Sequence, residues 1–344
     1  MPGTEPAPSG SAGPSGAAAR QAAPDGRTLA GRVEPWVLVS VWAALIVLFW
    51  VLRPGTFMTE GNWANMLASQ ASLVVLTLGL IIPLTAGEYD VSVGSVAGFS
   101  AMVLAVLNVN HNVPIAVAIL VAIAAGAVSG LVSGIIVVYF GIDSLIVTLG
   151  VSNVLSGLTL WISDSNTVTG VAPVLTQLTI TDRFLGIPYE FYGGVILTVL
   201  TWMYLEHTAS GRRLLVVGRN REVARLAGLR VGAARIGSFV AAAVFAAIAG
   251  VIIVGTTGSA DPSNDLTLTL PAMAGAFLGA TTIKPGRFNA WGVLAAVYFL
   301  VTGVTGLQLL GAQTFIQDIF YGAVLIVAVI FSQMTRGRRA ASSA

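Results

Sequence analysis

Val113-Pro-Ile-Ala-Val-Ala-Ile-Leu-Val-Ala-Ile-Ala-Ala-Gly-Ala-Val-Ser-Gly-Leu-Val-Ser-Gly-Ile-Ile-Val-Val-Tyr139 carries no charged side chain anywhere along its length. A helix rises about 1.5 Å per residue, so this stretch can cross the roughly 30 Å hydrocarbon core of a bilayer with length left for tilt. Working outward, comparable apolar stretches recur at 91–107, 66–86 and 36–52 toward the amino terminus. Toward the other end they recur at 145–163, 191–206, 236–258, 268–283, 290–307 and 315–333. The expected fold is an all-α integral membrane protein of about ten transmembrane helices. The third, sixth and eighth lie at the lower length limit, which predicts short, tilted, broken or re-entrant segments there. Gly126, Gly130 and Gly134, spaced every fourth residue in the opening stretch, predict a face for close helix packing.

Composition supports the same class. The chain of 344 residues is 56% apolar and 9% charged, against about 25% charged in soluble domains. Its mean hydropathy is +0.86. So few charges cannot cover a water-facing surface, whereas lipid solvates apolar faces directly. Residues 1–33, rich in Pro, Ala, Gly and Ser, bury too little apolar surface to order and read as a disordered tail without the pattern of a cleavable signal peptide. Residues 34–335 form the polytopic domain, and 336–344 a basic tail.

The chain holds 16 arginines and one lysine, and their positions set orientation. Positive residues in short loops mark the cytoplasmic side. Arg20, Arg27 and Arg32 precede the first span, and Arg336, Arg338 and Arg339 follow the tenth. Arg212, Arg213, Arg219, Arg221, Arg225, Arg230 and Arg235 fill the loop 211–235 between the sixth and seventh spans, and Lys284 and Arg287 lie between the eighth and ninth. Both termini are therefore expected in the cytoplasm. The longest outer loop, 164–189, is either a solvated connector or a surface for an external partner. The basic residues form no stripe of the kind that binds nucleic acid.

Within the loop 211–235, Gly218-Arg-Asn-Arg-Glu-Val-Ala-Arg-Leu-Ala-Gly228 predicts a short helix with Asn220 as its N-cap and Gly228 closing its end. Glu222 near the start and Arg225 near the end suit the helix dipole. Val223, Leu226 and Ala227 share a face by their spacing. Such a helix either docks into a groove on a partner or rests among lipid headgroups. At the junction of the second and third spans, Gly87-Glu-Tyr-Asp-Val-Ser-Val-Gly-Ser95 offers Asp90, with Ser92 beside it, either as the N-cap of the third span or as an ionisable group at membrane depth, a functional candidate. Asp143, at the start of the fifth span, reads likewise as a helix cap or a pathway residue. Gly279 and Gly286 repeat the spacing of Gly87 and Gly94, as an internal repeat would.

The same residues carry a family resemblance covering about 36–335. Gly218, Asn220, Ala224 and Gly228 resemble the cytoplasmic coupling loop of the ribose-type permeases of bacterial ABC sugar importers. The segment 87–95 resembles that family's Gly-Gly-Ile-Asp-Leu-Ser-Val-Gly-Ser signature: Gly87, Asp90, Ser92, Gly94 and Ser95 match, while Glu88 and Tyr89 replace a glycine and an isoleucine. Thr148-Leu149-Gly150, Asn153 and the run from Ser156 to Leu160 resemble its fifth span, where Asp143 stands in place of a proline. The resemblance implies a permease subunit in the bacterial inner membrane. It would move a monosaccharide or similar small polar solute by alternating access, and the helix bearing Glu222, Val223, Ala224, Arg225 and Leu226 would couple it to an ATP-binding subunit. It further implies a second permease copy (homodimer or close homologue), an extracytoplasmic solute-binding protein, surrounding membrane lipid, and ATP and Mg on the partner subunit rather than on this chain. The pathway candidates are Glu88, Asp90, Ser92, Asp143, Thr148 and Asn153.

Other chemistry is disfavoured. There is no cysteine, and His111 and His207 have no accompanying carboxylate cluster, so no metal site is expected. The one lysine, Lys284, lies between Ile283 and Pro285, so no phosphate-binding Gly-x4-Gly-Lys-Ser/Thr loop exists and any ATP is hydrolysed elsewhere. No catalytic constellation is present, so the chain is not expected to be an enzyme. The alternative function is an ion-gradient-driven secondary transporter, with Asp90, Glu88 or Asp143 as its ion site.

Overall fold

The computed structural model describes residues 36–263 and 267–342, with side chains described as far as Phe331. The expected amino-terminal tail and the side chains of Arg336, Arg338 and Arg339 lie outside the described residues. The chain is mostly helical, and a helix occupies each of the ten apolar stretches. Among the described residues, seven segments are long and apolar enough to cross a membrane: Glu60–Thr85, Val93–Asn110, Ile115–Tyr139, Ser144–Ile162, Val231–Thr257, Ala290–Leu309 and Thr314–Phe331. Val37–Leu52 and Thr269–Gly279 are apolar but shorter. Tyr189–His207 has 19 residues and carries Glu190 and Glu206 near its ends. Of the three stretches expected to be short, the third reaches 18 residues and the sixth 19, while the eighth stops at 11.

In chain order the helices are α1 Val37–Leu52, α2 Glu60–Ser69, α3 Ala71–Thr85, α4 Val93–Ala105, α5 Ile115–Tyr139, α6 Ser144–Ile162 and α7 Pro173–Thr176. There follow α8 Tyr189–His207, α9 Ala209–Arg219, α10 Arg221–Leu226, α11 Val231–Thr257, α12 Thr269–Gly279, α13 Ala290–Leu309 and α14 Thr314–Ser342. A wider turn, Val106–Asn110, extends α4.

α3 is the axis of the bundle. It is apolar along most of its length and buried continuously from Leu73 to Leu84. It packs against α8, α11, α12 and α13. At the periphery only 11% of the window Thr314–Phe331 is buried, against 78% for Glu60–Thr85, so α14 presents its apolar side chains outward.

The glycine series of α5 faces α11. A Cβ on Gly126 would stand 2.7 Å from the Ala247 Cβ, one on Gly130 2.5 Å from the Ala243 Cβ, and one on Gly134 3.0 Å from the Ile236 Cα. α11 approaches α4 as closely on another side, since a Cβ on Gly250 would lie 2.2 Å from the Ala97 carbonyl oxygen. Small residues bring these backbones together where lipid supplies no hydrophobic drive for association.

The stretch 164–189 is folded rather than an open connector. Its strand β1 (Val168–Thr169) pairs antiparallel with Ser259–Ala260 after α11, and Arg183–Phe184 pairs with Ile187–Pro188. Between them lies α7, extended by the turn Gln177–Thr181.

The expected repeat fails in the backbone. Gly87 and Gly286 adopt positive φ, at 78° and 79°, yet the matching spacing pairs Gly87 with Gly279, which closes α12, and Gly286 with Gly94, which lies inside α4. Equal spacing joins non-equivalent conformations.

Gly250→Ala should destabilise the bundle by about 1–3 kcal/mol, the usual range for overpacking. On the same helix Gly237 has no atom within 4 Å of an added Cβ. Gly237→Ala should leave stability unchanged or raise it by up to about 1 kcal/mol through helix propensity. Thermal unfolding in detergent distinguishes the two, and equal losses would refute the close-contact account.

Candidate functional site

The two segments singled out in the sequence meet. Gly218, in the last turn of α9, lies so close to the end of α3 that a Cβ there would stand 2.0 Å from the Thr85 carbonyl oxygen. Gly87 in turn lies against Gly218, with its own would-be Cβ 3.5 Å from the Gly218 carbonyl oxygen. The positive φ of Gly87 turns the chain out of α3, a conformation that costs glycine little.

α10 begins directly after this contact. Asn220 Oδ1 accepts the amide N–H of Glu222 at 2.9 Å and of Val223 at 3.1 Å, so the expected N-cap is formed. At the other end Gly228 has φ 76°. Its N–H donates to the Arg225 carbonyl at 2.9 Å, and the Leu229 N–H to the Ala224 carbonyl at 3.0 Å, the paired bonds of a Schellman closure. Glu222 and Arg225 are both outward-facing, 3.7 Å apart. Val223 is 55% and Leu226 84% exposed, while Ala224 is fully buried. The helix thus fits into its own protein through Ala224 and presents Val223 and Leu226 outward.

The link 86–92 runs between α3 and α4 and is held by side chains where it cannot form helix. The Tyr89 N–H donates to Ser144 Oγ at 3.0 Å, and the Val91 N–H to Thr148 Oγ1 at 3.1 Å. Thr148 is buried, and its hydroxyl donates a hydrogen bond to the Ser144 carbonyl at 2.8 Å. One turn further along α6, Ser152 Oγ meets Ser95 Oγ of α4 at 2.6 Å. Ser144, Thr148 and Ser152 therefore form one hydroxyl row facing the link and α4. The reading of the sequence missed Ser144 and Ser152, although their four-residue spacing around Thr148 was the available signal.

Asp90 is 3% exposed. Its Oδ1 accepts the Ser92 N–H at 2.9 Å and the Ser92 hydroxyl at 2.6 Å. α4 begins at Val93 with Ser92 as its N-cap residue, so Asp90 closes the turn before the helix rather than capping it. Burial pushes the Asp90 carboxyl up to about 6, with the two bonds from Ser92 pulling the other way.

Glu88, also a pathway candidate, is held by arginines. It is 2% exposed, and its Oε1 accepts from Arg221 Nη2 of α10 at 2.6 Å and is also paired with Arg235 Nε of α11. Arg221 Nη2 lies 3.3 Å from the Gly87 carbonyl oxygen as well. A buried carboxylate needs such counter-charge, and the basic loop 211–235 supplies it. Tyr89, by contrast, is 39% exposed and its ring stacks on Phe277 of α12, centroids 6.5 Å apart.

Two pathway candidates lie off this cluster. Asp143 is exposed, its Oδ1 accepting the Leu145 N–H at 2.8 Å as the N-cap of α6. Asn153 is exposed on α6, its amide donating to the Leu149 carbonyl at 3.2 Å. The cluster therefore brings together Gly87, Glu88, Asp90, Ser92, Thr148, Gly218 and Arg221.

Comparison with known proteins identifies the family. A family model described as the permease component of a branched-chain amino acid transport system matches residues 62–329. The ribose import permease protein of Bacillus subtilis is 31% identical over 290 residues, covering 84% of this chain and 89% of the relative. A probable ABC transporter permease protein of Escherichia coli is 33% identical over 298 residues, covering 85% and 87%. The D-allose transport system permease protein of Escherichia coli is 26% identical over 294 residues, covering 86% and 90%. No solved structure matches the chain. The chain therefore belongs to the family of ABC-importer permeases that includes the sugar permeases, and is a multi-pass membrane transport component rather than an enzyme.

Proposed function

We propose that this chain is the membrane-spanning permease subunit of an ATP-driven importer of a monosaccharide or a similar small polar solute. The observation that carries the reading is α10, a six-residue helix capped at both ends. It is anchored inward by Ala224 and leaves Val223 and Leu226 uncovered in a chain without a nucleotide-binding loop. That apolar pair, ringed by Glu222 and Arg225, is the contact offered to a separate ATP-binding subunit, which binds ATP and Mg while this chain binds neither. The nucleotide cycle would move α10 and switch the side to which the pathway opens.

In this reading ten helices cross the bacterial inner membrane, α2 and α3 together forming the second, and both termini and α10 face the cytoplasm. A second copy of the chain or a close homologue completes the pathway. The paired outer segment 168–188 meets an extracytoplasmic solute-binding protein, and lipid surrounds the outward apolar faces. The relatives named for ribose and D-allose support a sugar as solute. An ion-gradient-driven transporter would need a carboxylate available to its ion, and Glu88 is committed to two guanidinium groups, Asp90 holds the Ser92 amide and hydroxyl through one oxygen, and Asp143 caps a helix.

Leu226→Glu should leave membrane insertion normal. It should lower recovery of the co-purifying ATP-binding subunit by about ten-fold or more, the effect of losing roughly 1.4 kcal/mol at one interface anchor. Undiminished co-purification would remove α10 from the interface. The absence of cysteine makes Arg225→Cys a single reporter of orientation. It should resist a membrane-impermeant maleimide in intact cells and react in inverted vesicles, and labelling from outside would overturn the topology.

A further inference from the structure

Glu88 joins three elements with one carboxylate: its own link 86–92, Arg221 at the first position of α10, and Arg235 in the first turns of α11. Arg221 retains 47% side-chain exposure at the edge of this cluster, whereas Arg235 is mostly covered at 14%. The two ion pairs therefore differ in kind. Arg235 neutralises the carboxylate from within the bundle. Arg221 connects it to the short helix that carries the uncovered Val223 and Leu226.

The link beyond Glu88 is in contact with the elements around the bundle interior. Tyr89 touches Ser144 of α6 through its N–H and Phe277 of α12 through its ring, and Val91 touches Thr148 of α6. A displacement of α10 that carried Arg221 would pull on Glu88. It would then reach α6 and α12 within three residues of chain. Such a route needs a physical connection, and a short charge-assisted pair between a half-exposed arginine and a buried carboxylate is one.

We propose that the Arg221–Glu88 pair is the tie that transmits movement of α10 to the 86–92 link, making Glu88 a positioning residue for coupling rather than a contact for the solute. The proposal rests on the functional reading above, since only a partner that moves α10 gives the tie something to transmit. It also accounts for a glutamate where the resembling signature has a glycine: the side chain reaches Arg221, which a glycine cannot.

The amides of the link make transmission measurable. The N–H groups of Glu88, Tyr89, Val91 and Ser92 are bonded to the Pro83 carbonyl, Ser144, Thr148 and Asp90, so each exchanges with solvent only when its bond opens. The experiment is hydrogen–deuterium exchange on the full chain in complex with its co-purifying ATP-binding subunit, comparing ATP-Mg with ADP-Mg. In the wild-type complex the nucleotide should change exchange both at 220–228 and at 86–92. Arg221→Gln cuts the tie yet leaves Glu88 neutralised by Arg235. It should preserve the response at 220–228 and reduce that at 86–92 by roughly five-fold or more, the lower bound of ordinary coupling between sites. Arg221→Lys, which keeps the charge, should restore part of it. If Arg221→Gln lowers the yield of complex, Glu88→Gln provides the second cut and should give the same separation of responses. A response at 86–92 that survives both variants at full size overturns the tie and leaves the functional reading intact. No response at 220–228 in the wild-type complex overturns both.

Discussion

Hydrocarbon offers no hydrogen-bond partner, so a chain that crosses it must satisfy every backbone amide within itself. Helices do this along most of the sequence. The constraint becomes informative where a helix ends inside the bundle, as α3 does at Thr85, because once Gly87 and Glu88 have bonded back to carbonyls of α3 the amides that follow must find side chains. Here they find Ser144 and Thr148 of α6 and Asp90 of the link itself. The hydroxyl row of α6 is thus the substitute for the helical bonds that the link 86–92 gives up. A buried non-helical segment is tolerated only when its backbone groups find partners in this way, and the rest of the cluster is arranged around it.

The second condition is close approach. α9 meets the end of α3 through Gly218, and Gly87 turns out of α3 against the same glycine. Any side chain at Gly218 would occupy the position of the Thr85 carbonyl. These two glycines set α10 directly beside the link, which places Arg221 within reach of Glu88. The sequence motifs are far apart in the chain, but one backbone contact makes them a single structural unit.

Much of this was legible beforehand. Apolar length located a helix at each of the ten stretches, because lipid rewards an uninterrupted apolar run whatever its tertiary partners. The caps of α10 were legible too, since Asn220 and Gly228 act through their own local backbone. The outward pair Val223 and Leu226 followed from spacing, although Ala227, assigned to the same face, has little side chain to contribute. What spacing could not reveal was the pairing of Glu88 with Arg221 and Arg235, which depends on the route of α9 back to α3. The requirement was nonetheless visible: a carboxylate in an otherwise apolar junction demands a counter-charge, and one loop held seven arginines. Of the two readings of Asp90, the cap fails because N-cap preference describes the residue entering a helix, whereas the chain here makes one more turn, closed by Asp90 itself, before α4 begins.

The two departures from the resembling signature are adjacent, and the structure gives each its own partner. Glu88 turns inward to the arginines, whereas Tyr89 turns its ring onto Phe277 and keeps 39% of its surface exposed. A bulky charge and a bulky ring fit side by side because their side chains have separate partners, one on α10 and α11, the other on α12. Restoring a glycine at the first position would release the link from α10 but leave the aromatic contact. Restoring isoleucine at the second would remove the ring stacking while leaving the ion pairs in place. The two substitutions therefore act on separable interactions, and the chemistry that distinguishes this chain at the junction is the attachment of its link at two points, by charge on one side and by an aromatic face on the other.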